Sequence, residues 1–223
     1  MKAALHIGWG SVGLAEGTPS GDRRLRSFLA PGQFVELSGG ISCGKSSLAL
    51  GLCAEATAAG EVAVWIDPGL GFFPLSLVES ASDAGRLLVV RVPDCAAALR
   101  AADLLLSGGG TTQRDRVRLV VLPLPAHGRM REASAEANRS AIAPAALLRL
   151  QRMAERCGAA VLLLDERPPE APSLGPVQLR CHVTRDAEGV VHLEVLRHRQ
   201  GPAGGTLTPT RADPVRLPRG RTL

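Results

Sequence analysis

The stretch GGISCGKS, residues 39 to 46, fits the pattern G-x-x-x-x-G-K-[ST], with Gly39, Gly44, Lys45 and Ser46 at the fixed positions. Before it runs QFVELS (33 to 38), an apolar strand pattern. After it comes a helical pattern with Leu48, Leu52 and Ala56 on one face and Gly60 as its stop. Strand, glycine turn and helix in direct succession place the turn at the carboxyl end of a parallel strand, which confines the chain to α/β folds. There the backbone N–H groups of Gly40, Ile41, Ser42, Cys43, Gly44, Lys45 and Ser46 can converge on phosphate oxygens at the positive end of the helix. Lys45 would add a point charge near the β and γ phosphates, the Ser46 hydroxyl would hold Mg²⁺, and Ser47 follows in the same first turn. The alternative is a vestigial loop that keeps the turn but holds no nucleotide. Only Lys2 and Lys45 are lysine, so one of two lysines falls at the motif.

The rest of the chain keeps the rhythm of strand and helix. VAVWID (62 to 67), LLVVR (87 to 91), VRLVVL (117 to 122) and AAVLLLD (159 to 165) are apolar runs of the kind buried inside a parallel sheet. Asp94 is placed to N-cap a helix carrying Leu99, Ala102 and Leu106. Pro144 opens another, with Leu147, Leu150 and Ala154 inward and Gly158 past its end. VQLRCHVTR and VVHLEVLRHR alternate apolar and polar residues around DAEG, which predicts an antiparallel hairpin at the sheet edge. The expected fold is α/β: a mostly parallel twisted sheet with helices on both faces and a C-terminal antiparallel hairpin. Residues 1 to 30 read as an N-terminal segment, in which DRRLRSFL could form a short helix, and residues 31 to 199 as the core. Residues 200 to 223, with four prolines, read as an extended, Pro- and Arg-rich tail.

At 223 residues and 45% hydrophobic content the chain suits one sizeable core. The net charge is +5, and residues 180 to 223 hold eight arginines against four acidic residues. That excess is either a contact surface for nucleic acid or an acidic protein, or a solvated tail. Cys43, Cys53, Cys95, Cys157 and Cys181 show no metal-binding spacing and read as free thiols of a reducing cytoplasm. No export signal and no run of 18 apolar residues points to a membrane.

Nucleotide hydrolysis needs more than the loop: a carboxylate to help hold the metal, and a group to orient the attacking water. The strand 117 to 122 leads into Pro123, where a hydrolase would place an aspartate, and no other acid stands near that end. Asp67 ends its strand before Pro68 and Gly69, and reads either as a strand-end cap or as a replacement acid.

In order and spacing, ELSGGISCGKSSLAL, VAVWIDPG, LLVVRVPDCAAALRAADLLL, VRLVVLP, AVLLLDE and LEVLRHRQGPAGG resemble the core of the bacterial recombinase family RecA across roughly residues 30 to 205. More narrowly, a short RecA-like chain with a reduced ATPase centre and an Arg- and Pro-rich tail resembles ImuA, the RecA-like member of a bacterial mutasome. The resemblance implies a noncatalytic adaptor in damage-induced mutagenesis and translesion synthesis. Its implied partners are an ImuB-like Y-family polymerase homologue and an error-prone DnaE-type polymerase, with RecA and DNA as further candidates. Departures from RecA sharpen this. Gly69 stands at the catalytic glutamate, Pro123 at the magnesium-linked aspartate, Asp165 and Glu166 at the γ-phosphate-sensing pair, and Phe73 and Ser76 at the adenine contacts. ATP with Mg²⁺ would then bind weakly or not at all, with hydrolysis absent or very weak.

The first DNA loop of RecA corresponds to about residues 129 to 143, where Arg129, Arg131 and Arg139 could neutralise phosphates or simply be solvated beside Glu132 and Glu136. The second is shortened to RPPEAPSLGP and lacks aromatic residues for stacking. Arg197 and Arg199 match basic residues that in RecA reach a neighbouring subunit's ATP. With Arg211, Arg216, Arg219 and Arg221 of the tail they are the remaining candidates for DNA or partner contact. A working ATPase or recombination mediator and a SulA-like cell-division inhibitor are the alternative functions.

Overall fold

In the computed structural model the strand before the phosphate loop lies near the middle of a ten-stranded sheet. The structure describes residues 4–8, 11–13, 29–68, 72, 84–108, 116–124, 142–187, 189, 191–199 and 206–208. The strands are β1 (Ala4–Gly8), β2 (Ser11–Gly13), β3 (Phe34–Ser38), β4 (Val62–Asp67), β5 (Leu87–Arg91), β6 (Val117–Pro123), β7 (Ala160–Asp165), β8 (Leu179–Arg185), β9 (Val191–His198) and β10 (Thr206–Thr208). The helices are α1 (Lys45–Ala58), α2 (Cys95–Ser107) and α3 (Pro144–Cys157). Across the sheet the order is β2-β1-β10-β9-β8-β3-β7-β6-β4-β5. The six strands from β8 to β5 are all parallel, whereas β9 runs antiparallel to both β8 and β10.

Helix boundaries follow from local chemistry. The Asp94 carboxylate accepts from the Ala97 N–H at 2.6 Å and so starts α2. Pro144 occupies the first turn of α3, where its missing N–H is no loss, and Gly158 closes that helix in the left-handed conformation. Ala59 is the C-cap of α1, with Gly60 one residue beyond.

Alternation along the central strands divides the core in two. Val35, Leu37, Trp65, Val121 and Leu162 pack beneath α1, while Phe34, Ile66, Val120, Leu122, Val161 and Leu163 face α2 and α3. Burying a side chain of this size contributes roughly 1.5–3 kcal/mol, so a sheet apolar on both faces requires helices on both. Pro123 ends β6 opposite Leu164 of β7, and the pairing of β6 with β4 stops at Val121, so no ladder bond to β4 is lost at the proline.

The α/β architecture, the parallel sheet and the hairpin β8–β9 agree with the sequence reading. The hairpin is not the sheet edge, however. β10 pairs with β9 and β1 pairs in parallel with β10, so strands from residues 4–8, 11–13 and 206–208 continue the sheet beyond it. The segment DRRLRSFL lies mostly outside the described residues.

Candidate phosphate-binding site

The loop between β3 and α1 is built by close backbone approach. At Gly39, φ is +151°, and a Cβ there would lie 2.3 Å from the Val183 carbonyl oxygen of β8. At Gly44, φ is +105°, and a Cβ would meet Val191 Cγ2 at 2.7 Å. Only glycine satisfies both the torsion and the space. Gly44 N-caps α1 without a side-chain hydrogen bond, and the first turn carries no acid, so its N–H groups face no carboxylate of their own helix.

Lys45 is buried, at 8% exposure, and its ammonium donates to the carbonyl oxygens of Gly39 at 2.5 Å and Gly40 at 2.7 Å. A third donor faces Cys43 Sγ at 3.4 Å, a weak acceptor that a phosphate oxygen would outcompete. The lysine is therefore held over the loop by two carbonyls. Ser46 and Ser47 are exposed in the first turn, and Ile41 at the loop tip is 66% exposed. The sequence-predicted residues from Gly39 to Ser47 thus lie together in one continuous loop and first helical turn at the end of β3.

Asp67 and Asp165, which end β4 and β7, have partners of their own. Asp67, 3% exposed, accepts from the Phe72 N–H at 3.0 Å, and its carbonyl accepts from Val92 N–H at 3.2 Å. It closes the turn after β4 as a strand-end cap, with the Phe72 ring against Trp65 at 4.8 Å. Asp165 ends β7 opposite Ser38 and is ion-paired to Arg167 at 2.5 Å. The donor set fits the phosphates of a nucleotide. It lacks the carboxylate at the end of β6 that would complete a magnesium site.

No protein-family model and no curated protein matches the chain. Among solved structures it is similar to the crystal structure of the RadB recombinase, with a TM-score of 0.60 and 19% identity over 81% of this chain and 87% of that one. The core has a RecA-like fold.

Within the RecA-like core, β3 carries a feature that the sequence reading missed. Glu36 is fully excluded from solvent in the central strand, with Arg180 Nε at 2.9 Å and Arg167 Nη2 at 3.2 Å from its Oε1. The Leu174 N–H donates to its second oxygen at 3.0 Å. Burial pushes the carboxyl above its ordinary range, and the Leu174 N–H, Arg180 and Arg167 pull it partly back. Arg180 also donates to the carbonyls of Pro168, Pro169 and Ala171, pinning the shortened loop RPPEAPSLGP to the sheet. The available signal was the acid inside an otherwise apolar strand.

Next to it, the Ser38 hydroxyl lies 3.3 Å from both the Cys181 carbonyl oxygen and His182 Nδ1. Desolvation lowers the His182 pKa, opposed by the facing Glu194.

Arg197 and Arg199 are exposed toward the end of β9 that lies beside the start of β8, away from the phosphate loop, and the Arg199 N–H bonds the Gln178 carbonyl at 2.8 Å. They are not part of this chain's own cradle. Arg129, Arg131, Arg139, Arg211, Arg216, Arg219 and Arg221 lie outside the described residues, as do Gly69, Phe73 and Ser76. Among the described residues no helix is long and apolar enough to cross a membrane.

Proposed function

We propose that this chain is a RecA-fold accessory protein that takes up a nucleoside triphosphate through residues 39 to 47, turns it over slowly or not at all, and works by association. The observation carrying this reading is the contrast between a formed cradle, with Lys45 fixed by Gly39 and Gly40, and the proline that ends β6. Binding draws on backbone N–H groups and one ammonium. Hydrolysis would need oriented carboxylates as well, and Asp67 and Asp165 are committed to Phe72 and Arg167.

The role that fits such a body is the one implied by the likeness to ImuA: an adaptor that holds an ImuB-like polymerase homologue and an error-prone DnaE-type polymerase during damage-induced mutagenesis, with RecA and DNA as further contacts. Support comes from the fold, the motif order and the arginine-rich C-terminal sequence.

The test combines two measurements on the purified chain. Mg-ATP should raise the melting temperature of the wild type but not of Lys45→Ala, since a ligand at 100 times its dissociation constant adds about 2.7 kcal/mol. Phosphate release should stay at background in both. Magnesium-dependent turnover that Lys45→Ala abolishes would refute the noncatalytic reading. A pull-down against the two polymerase partners that recovers neither would refute the adaptor role.

A further inference from the structure

The phosphate loop has a second cationic wall, which the loop motif does not contain. The hairpin β8–β9 ends directly over the loop: Val183 O lies against Gly39 and Val191 against Gly44. At the same end, Arg185 Nη2 lies 3.6 Å from the point where a Gly44 Cβ would stand. Arg185 is exposed and has no ion-pair partner among the described residues. Its chain neighbour Asp186 lies instead 2.7 Å from His192 Nε2, so that carboxylate has a partner other than Arg185. A guanidinium with no ion-pair partner among the described residues therefore stands beside Gly44, the N-cap of α1. A guanidinium in this position matches the oxygen pairs of a polyphosphate, and a flexible side chain on a rigid strand end can reach them without backbone movement.

We infer that Arg185 is a polyphosphate-binding residue of this site, closing the cradle from the hairpin side in the same chain. The inference rests on the nucleotide-binding reading above and extends it from the loop to β8. It assigns the hairpin a binding role, with Gly44 kept small so that β9 and the Arg185 side chain can close against it.

Equilibrium binding of a fluorescent ATP analogue, with ATP, ADP and inorganic tripolyphosphate as competitors, tests this on the full chain. Arg185→Gln should weaken ATP and tripolyphosphate by roughly ten-fold or more, the scale of one hydrogen bond to a charged group. Arg185→Lys should recover part of that loss. Urea unfolding midpoints of both variants should equal that of the wild type, because the side chain is exposed. If Arg185→Gln binds ATP as tightly as the wild type while Lys45→Ala loses binding, the site stands and the role of Arg185 is overturned. It is overturned as well if ATP weakens but tripolyphosphate does not, which would place Arg185 on the nucleoside. A wild type that binds no ATP at millimolar concentration, indistinguishable from Lys45→Ala, removes both readings together.

Discussion

Replacing Arg180 by methionine should be among the most damaging single changes in this chain. Glu36 is at 0% exposure, and Arg180 is its closest cation at 2.9 Å. Breaking a buried pair by removing one partner costs roughly 3–5 kcal/mol, because the remaining charge is left in a medium that solvates it poorly. The carbonyls of Pro168, Pro169 and Ala171 also lose a charged donor, each worth about 1 kcal/mol or more. Against this, Arg167 and the Leu174 N–H stay on the carboxylate, and methionine keeps much of the packing volume. The balance is about 4 kcal/mol, a large share of the roughly 5–15 kcal/mol that holds a domain folded. Urea unfolding followed by circular dichroism, at constant m value, measures it. Glu36→Gln combined with Arg180→Met should cost clearly less than the sum of the two single changes, since the double variant buries no orphaned charge. A loss below about 1 kcal/mol for Arg180→Met, or strict additivity, would show that the pair is not the buried, coupled unit described here.

The same carboxyl gives a pH signature. Burial holds Glu36 above its ordinary 4.5, so the folded chain binds this proton more tightly than the unfolded chain. Its contribution to stability is full below 4.5 and fades as pH rises through the raised folded value. The stability difference between wild type and Glu36→Gln should fall across that window and then level, and urea midpoints that diverge in the wild type's favour with rising pH would contradict this. Gly39→Ala should destabilise by several kcal/mol and abolish ATP binding, because its Cβ would lie 2.3 Å from the Val183 oxygen, whereas Gly40→Ala meets nothing within 4 Å and should be mild. Paired melting curves would decide between them. Burial pushes the Cys53 thiol up to about 12 and, with Asp94 nearby, Cys95 up to about 11, and it raises Cys181 as well. A disulfide reagent at neutral pH should therefore label mainly the half-buried Cys157 in the folded chain and all five cysteines in denaturant, and Cys157→Ser should remove the fast phase.

What could be read in advance was whatever neighbouring residues decide among themselves. Asp94, Pro144 and Gly158 set helix ends through contacts within a few positions, and the phosphate loop is local in the same sense. Arg180 shows the limit. Alternation with Leu179, Cys181 and Val183 assigns it to the polar face of a hairpin, yet it is 5% exposed, because residues 168 to 171 fold over it and Glu36 receives it from 144 positions earlier in the chain. Nothing in the local pattern reports a lid of that kind. The strands at 4–8, 11–13 and 206–208 were missed for a related reason: short strands acquire their identity from a distant partner rather than from their own periodicity.

The pairing of β1 with β10 joins segments about 200 residues apart, Ala4 beside Thr206. On a ribosome, where the chain emerges from its amino end, β3 to β9 can assemble while β1 and β2 still lack the neighbour that anchors them. β1 and β2, made before the rest of this sheet, thus find their place in it after β3 to β9. Until residue 206 is translated, the outer edge of β9 stays open to any other extended strand, which is when chaperone cover would count most for this protein.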